Sequence, residues 1–183
     1  MLIDASKSLL LIVDVQERLL PAMAVGNSVV ERSKILLQAA KALNVPVAVS
    51  EQYPKGLGHI VETLIQAVGN APVFEKSSFS CWRDDTLRKH FTAHHDGGRP
   101  QVIIAGIEAH VCVAQTAIDM AQAGFGVFVV ADAVSSRAEA SVSLALIRMG
   151  QSGVEVINTE MAVFELLGKA GTPEFKELSA LIK

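Results

Sequence analysis

Ala105-Gly106-Ile107-Glu108-Ala109-His110-Val111-Cys112-Val113 decides how this chain is read. It is preceded by Gln101-Val102-Ile103-Ile104, a short apolar and β-branched run that reads as a buried strand. It is followed by Ala114 to Ala121, whose apolar spacing reads as a helix. Cys112 therefore falls where a strand gives way to a helix. The first amides of a helix lack internal partners and sit at the positive end of its dipole. A cysteine there is expected to have a lowered pKa, and the same amides suit an oxyanion. The bland alternative is a small buried hydrophobe.

The same pattern recurs along the chain. Ser8 to Asp14 is a continuous apolar run ending in a carboxylate, as in a parallel strand covered on both faces. A helix to about Leu43 follows, with Asn27 or Ser28 as its cap. Further strands are expected at Val47–Ser50, Pro72–Lys76, Gly126–Asp132 and Gly153–Ile157. Between them lie a Gly- and Pro-rich loop, Glu51 to Gly58, and helices at Val61–Val68 and Asp84–Ala93. His94 to Gly98 reads as a surface turn, and Ser135 or Ser136 as the cap of a helix to Met149. Two helices, from Thr159 and from Pro173, close the chain.

Strands alternating with helices imply an α/β fold: a three-layer α/β/α sandwich around a doubly wound parallel sheet of about six strands, in the order 3-2-1-4-5-6. With 183 residues, a single domain over 1–183 is expected. Ligands of such sheets bind beyond the carboxyl ends of the strands, where strand order reverses. Asp14, Lys76 and Cys112 all lie at those ends or in the turns after them.

Composition narrows the function classes. A net charge of -3 without any lysine- or arginine-rich run argues against a general nucleic-acid binder. Two cysteines, Cys81 and Cys112, are too few for a disulfide framework. The apolar run from Leu9 to Val13 is too short to span a bilayer, and Met1 to Ser8 lacks the features of a signal peptide. A soluble cytoplasmic protein without membrane or nucleic-acid partners is expected. Half the residues are hydrophobic, which leaves apolar surface for subunit contacts and points to a homo-oligomer.

The trio has chemical sense. A thiol becomes a good nucleophile when a base takes its proton, and Asp14 is a candidate base. A carboxylate beside a thiolate needs a balancing cation, which Lys76 supplies. Amides in the turn after Gly106 would receive the oxyanion of a tetrahedral intermediate. Gln16, Tyr53, Phe79, Trp82 and His110 are candidates for a substrate pocket. His59, His90, His94 and His95 lack metal-ligand spacing and read as surface residues, and Cys81 as structural.

Four segments together resemble the isochorismatase-like cysteine hydrolases, which include nicotinamidases and N-carbamoylsarcosine amidases. They are Leu11 to Gln16, Lys76 to Phe79, Gly106 to Val113 and Asp132 to Arg137. The loop Glu51 to Gly58 is similar to that of the isochorismatase domain-containing branch. The resemblance implies that Asp14, Lys76 and Cys112 form a catalytic triad. It also implies a cis peptide between Ile107 and Glu108, and an oxyanion hole made by the Glu108 and Cys112 amides. Nicotinamidases carry an Asp-x-His metal motif where this chain has Gln52-Tyr53-Pro54, so no metal and no cofactor are expected. The activity implied is hydrolysis of a small amide, ureido or related C–N substrate through a thioester. The alternatives are a non-enzymatic oligomeric binding or scaffold protein, and direct vinyl-ether hydrolysis of the isochorismatase kind.

Overall fold

The computed structural model describes residues 1–182. Its strands are β1 (Ser8–Val13), β2 (Val47–Gln52), β3 (Val73–Lys76), β4 (Gln101–Ile107), β5 (Gly126–Ser135) and β6 (Glu155–Ile157). The helices are α1 (Gly26–Ala42), the single turn α2 (Pro54–Leu57), α3 (Glu62–Val68), α4 (Asp85–Asp96), α5 (Ala114–Gln122), α6 (Glu139–Gln151), α7 (Thr159–Leu167) and α8 (Pro173–Ser179). All strand pairs are parallel, in the order β3-β2-β1-β4-β5-β6. The expected architecture is the observed one.

Side chains along a strand alternate between faces, and the central strands are apolar on both. Leu10 and Ile12 of β1 pack with Ile103 and Ala105 of β4 into a core beneath α1, α3, α7 and α8. Leu9, Leu11 and Val13 join Val102 and Ile104 in a second core beneath α4, α5 and α6. The chain thus winds β1–β2–β3 outward with α1 and α3 on one face. It then crosses through α4 to β4 on the other side of β1. Between β1 and β4 the winding reverses, which in doubly wound sheets is where the ligand cleft lies.

Several local boundaries differ from the sequence reading. Helix α1 begins at Gly26 with Val25 as its cap, so Asn27 and Ser28 lie inside its first turn. Strand β2 extends two residues further, because Glu51 and Gln52 pair with Glu75 and Lys76. Helix α4 continues to Asp96, which places His94 and His95 in its last turn instead of a surface turn. His90 is half-buried and stacks 4.9 Å from the Phe74 ring, so it is not a surface residue. Neither Ser135 nor Ser136 caps α6, which starts at Glu139 after Ala138. Ser135 ends β5, and Ser136 turns inward to His110. Among the described residues, no helix is long and apolar enough to cross a membrane.

At the reversal, Val13 of β1 pairs with Gly106 of β4. Gly106 has φ +118, and a Cβ built on it would stand 2.1 Å from the Val13 carbonyl oxygen. No side chain fits there without separating the two central strands. Gly106→Ala is therefore expected to cost about 3 kcal/mol or more, from overpacking together with backbone strain. Denaturant unfolding measures this; a loss below about 1 kcal/mol would mean that the strands yield easily.

Candidate active site

Asp14 leaves β1 in a left-handed conformation, φ +52, which aspartate tolerates better than most residues. Its N–H still donates to Ser50 O of β2 at 3.0 Å, so the turn starts from a fixed point. Two residues on, the Gln16 carboxamide continues the pairing that the β1 backbone has abandoned. Gln16 Oε1 accepts from Gln52 N–H at 2.7 Å, and Nε2 donates to the Gln52 and Gly58 carbonyls at 3.0 and 2.6 Å.

Lys76 ends β3, two strands away from β1. Its side chain passes the end of β2 and puts Nζ 2.8 Å from Asp14 Oδ2, with both side chains at 0% exposure. A buried ion pair pays a large desolvation cost, which further hydrogen bonds must offset. Nζ also donates to Gln52 Oε1 at 2.7 Å and to the Ser78 and Phe79 carbonyls at 3.2 and 3.1 Å. Ser50 Oγ donates to the other Asp14 oxygen, Oδ1, at 2.7 Å. Burial works against the Lys76 ammonium. The Asp14 charge, the two nearby cysteines and the Asp14 hydrogen bond outweigh it and raise the lysine pKa above its ordinary value.

Cys112 lies in a π-type turn, Ala109–Val113, between β4 and α5. In that turn Glu108 O accepts from both Val111 and Val113 N–H. The Ile107–Glu108 peptide is cis. The thiol is 5% exposed. Burial first, and the Asp14 carboxylate second, push its pKa well above the usual thiol range, while Lys76 pulls the other way. The expectation of a lowered thiol pKa is thus overturned. Helix α5 begins only at Ala114, so its dipole end lies beyond Cys112, and desolvation beside an anion prevails. Burial and the Asp14 charge both favour the protonated form of this sulfur. Chemically, this is a nucleophile that must be deprotonated on demand, next to a base whose charge a buried cation balances.

The pocket candidates separate into different roles. Gln16 is fully buried, and its amide is committed to the loop contacts above, so it braces the site instead of lining it. Trp82 packs edge-on against Phe125 at 5.3 Å, as part of the second core. Tyr53 and Phe79 are 59% and 54% exposed and stand at the rim near Lys76. Tyr53 donates its N–H to Lys76 O at 2.9 Å, and the Phe79 carbonyl meets Nζ. His110 Nδ1 lies 2.9 Å from Ser136 Oγ, one turn from Cys112. Glu108 Oε2 accepts from Arg137 Nε at 3.0 Å, which ties the turn to the segment after β5. Sequence reasoning passed over Ser50 and Gln52, which touch Asp14 and Lys76 directly, and set Cys81 aside as structural. All three are buried polar or thiol groups at the ends of β2 and just after β3, a position that could have flagged them. Among the described residues, no cluster of three or more His, Cys, Asp or Glu side chains is placed to hold a metal ion.

The comparisons agree with this architecture. Isochorismatase domain-containing protein 2 of Danio rerio is 41% identical over 175 residues, covering 96% of this chain and 86% of that protein. The structure of MAR1 ribonuclease from Caenorhabditis elegans has a TM-score of 0.92 at 37% identity, covering 100% of this chain and 92% of that one. The YcaC gene product from Escherichia coli, described as an octameric hydrolase of unknown specificity, has a TM-score of 0.91 at 26% identity, covering 99% and 90%. The model of the isochorismatase domain matches residues 8–161, from the start of β1 into α7, and the chain belongs to the isochorismatase family.

Proposed function

We propose that this isochorismatase-family protein is a cysteine hydrolase acting on a small amide, ureido or related C–N substrate. The observation that carries this reading is the fully buried Asp14–Lys76 pair together with the buried Cys112 in the turn after β4. A buried pair of this kind is costly in stability, which points to a chemical use, and a nearby thiol nucleophile needs a base.

In this mechanism Asp14 takes the Cys112 proton as sulfur attacks the carbonyl carbon of the substrate. The Glu108 and Cys112 amides receive the oxyanion, and Lys76 stabilises the negative charges around it. The tetrahedral intermediate collapses, the C–N bond breaks, and the proton on Asp14 passes to the leaving nitrogen. Water then attacks the thioester, giving a proton to Asp14. The acid product leaves, and the proton returns to Cys112. The rim residues Tyr53 and Phe79, together with His110, are positioned to contact the substrate.

The octameric YcaC gene product bears on assembly as well. The outer faces of α6 and α7 expose Leu144 (69%), Ile147 (58%), Met161 (44%) and Phe164 (43%). Because α6 and α7 cover opposite faces of the sheet, these are two separate exposed apolar pairs, and each favours a subunit contact that covers it.

The direct test is mass spectrometry of protein quenched during turnover of a panel of small amides and ureido compounds, with isochorismate and a short RNA as comparison substrates. A Cys112 acyl adduct is expected with a C–N substrate, and Cys112→Ala should abolish both adduct and turnover. Asp14→Asn, which keeps the shape but removes the base, should slow turnover at least about 10²-fold. Turnover by Cys112→Ala at the wild-type rate would refute the nucleophile assignment and favour direct water attack. Removing one partner of a buried ion pair leaves the other unpaired, so Lys76→Met should lower stability by about 3–5 kcal/mol. The double variant with Asp14→Asn should recover much of that loss in denaturant unfolding, and no recovery would mean the two charges are not coupled. For assembly, light scattering should give a species larger than a monomer at micromolar concentration, reduced in size by Leu144→Glu with Ile147→Lys. A monomeric wild type would end this part of the proposal.

A further inference from the structure

The second cysteine of this chain sits behind Asp14 in an arrangement whose polarity can be worked out. Asp14 Oδ1 can only accept, so the Ser50 hydroxyl at 2.7 Å must donate to it. That uses the one hydroxyl proton and leaves the Ser50 oxygen as an acceptor. Cys81 Sγ lies 3.5 Å from Ser50 Oγ and must therefore be the donor. Cys81 is completely buried, and its own N–H donates to Thr116 Oγ1 of α5 at 2.9 Å, which fixes the sulfur in place. The result is a directed chain, Cys81 S–H to Ser50 O–H to Asp14 carboxylate. It enters Asp14 on the oxygen that Lys76 does not use.

We propose that Ser50 and Cys81 are positioning residues that hold the Asp14 carboxylate aimed for proton transfer with Cys112. The inference rests on the reading of Asp14 as the base. Its logic is a division of labour between the two carboxylate oxygens. Lys76 on Oδ2 supplies charge, whereas a neutral donor on Oδ1 fixes orientation without adding a second cation that would weaken the base. A donor that is itself hydrogen-bonded is polarised and donates more strongly, which gives the buried thiol a task. The titratable groups facing Asp14 are Lys76 from β3, Cys81 from the turn after β3 and Cys112 from the turn after β4. Burial and the Asp14 charge push the Cys81 pKa up to about 11, so it remains a donor across the neutral range.

The test needs no substrate. Iodoacetamide alkylation of Cys112 in the whole protein is followed by mass spectrometry as a function of pH, with Cys81 resolved on its own peptide. The acid limb of the Cys112 profile should move upward by about one pH unit in Ser50→Ala, because a hydrogen bond to the charged form has been lost. Ser50→Thr, which keeps a hydroxyl, should bring it back. Cys81→Ala should move the limb in the same direction by a smaller amount, and it serves as the readout if Ser50→Ala does not fold. If Asp14→Asn shifts the profile but Ser50→Ala or Cys81→Ala superimposes on wild type, the donor chain is wrong and the role of Asp14 stands. If Asp14→Asn itself leaves the profile unmoved, Asp14 is not the base, and both readings fall.

Discussion

Everything at the cleft depends on one ion pair that spans three strands. Asp14 follows β1 and Lys76 closes β3, so the 2.8 Å contact between them is possible only where β2 ends and lets the lysine pass. Placing two charges there with no exposure would be strongly unfavourable in isolation. The chain offsets it with a complete set of partners: a serine hydroxyl for one carboxylate oxygen, and an amide oxygen and two carbonyls for the ammonium. Ser50 and Gln52, which interrupt the apolar end of β2, are two of those partners. The site is thus an extension of the sheet past its strand ends: β2 and β3 supply Ser50, Gln52 and Lys76, and the turns after β1 and β4 supply Asp14 and Cys112.

The position of the thiol completes the electrostatic argument. A cysteine activated by a helix end or a neighbouring cation would rest as a thiolate and be open to any small electrophile. Here burial and the adjacent carboxylate instead raise the thiol pKa. Reactivity is then conditional on the carboxylate accepting the thiol proton, which couples nucleophile and base into a single unit. Selectivity between the two cysteines also follows from geometry. Cys112 lies in the turn after the cis peptide, whereas Cys81 is fully enclosed behind Ser50.

The centre of the sheet was legible in the sequence because its signals are strong: Leu9–Val13, Val102–Ala105 and Val127–Ala131 are continuous apolar runs of four or five residues, each followed by a helical period. The order of the strands followed from the alternation of elements. The trio at the strand ends was legible as residue types, and the structure brings them together at the reversal. Less legible were features set by tertiary context. The cap of α1 fell to Val25, which offers no side-chain hydrogen bond, and Gly26 follows where a Cβ would meet the Leu20 carbonyl. Ser136 reads as a cap in sequence but its hydroxyl is taken by His110. The sign of the Cys112 shift could not come from its place before a helix, since it depends on burial and on a carboxylate nearly a hundred residues away. Ser50, Gln52 and Cys81 are ordinary residues in sequence and gain importance only from what they touch.

Gln16 has a consequence of its own. By turning into a left-handed conformation at Asp14, the main chain deprives the end of β2 of its neighbour, and the Gln16 side chain fills the gap with a donor and an acceptor spaced as in a peptide group. It acts as a prosthetic length of backbone. Only a primary amide can imitate a peptide in this way, since a carboxylate has no proton to give and a hydroxyl cannot span both contacts. Asparagine has the right group on a stem one carbon too short. The freedom of the first loop to depart from the sheet and present a carboxylate to the cleft is therefore bought by a single residue whose chemical identity admits almost no substitute.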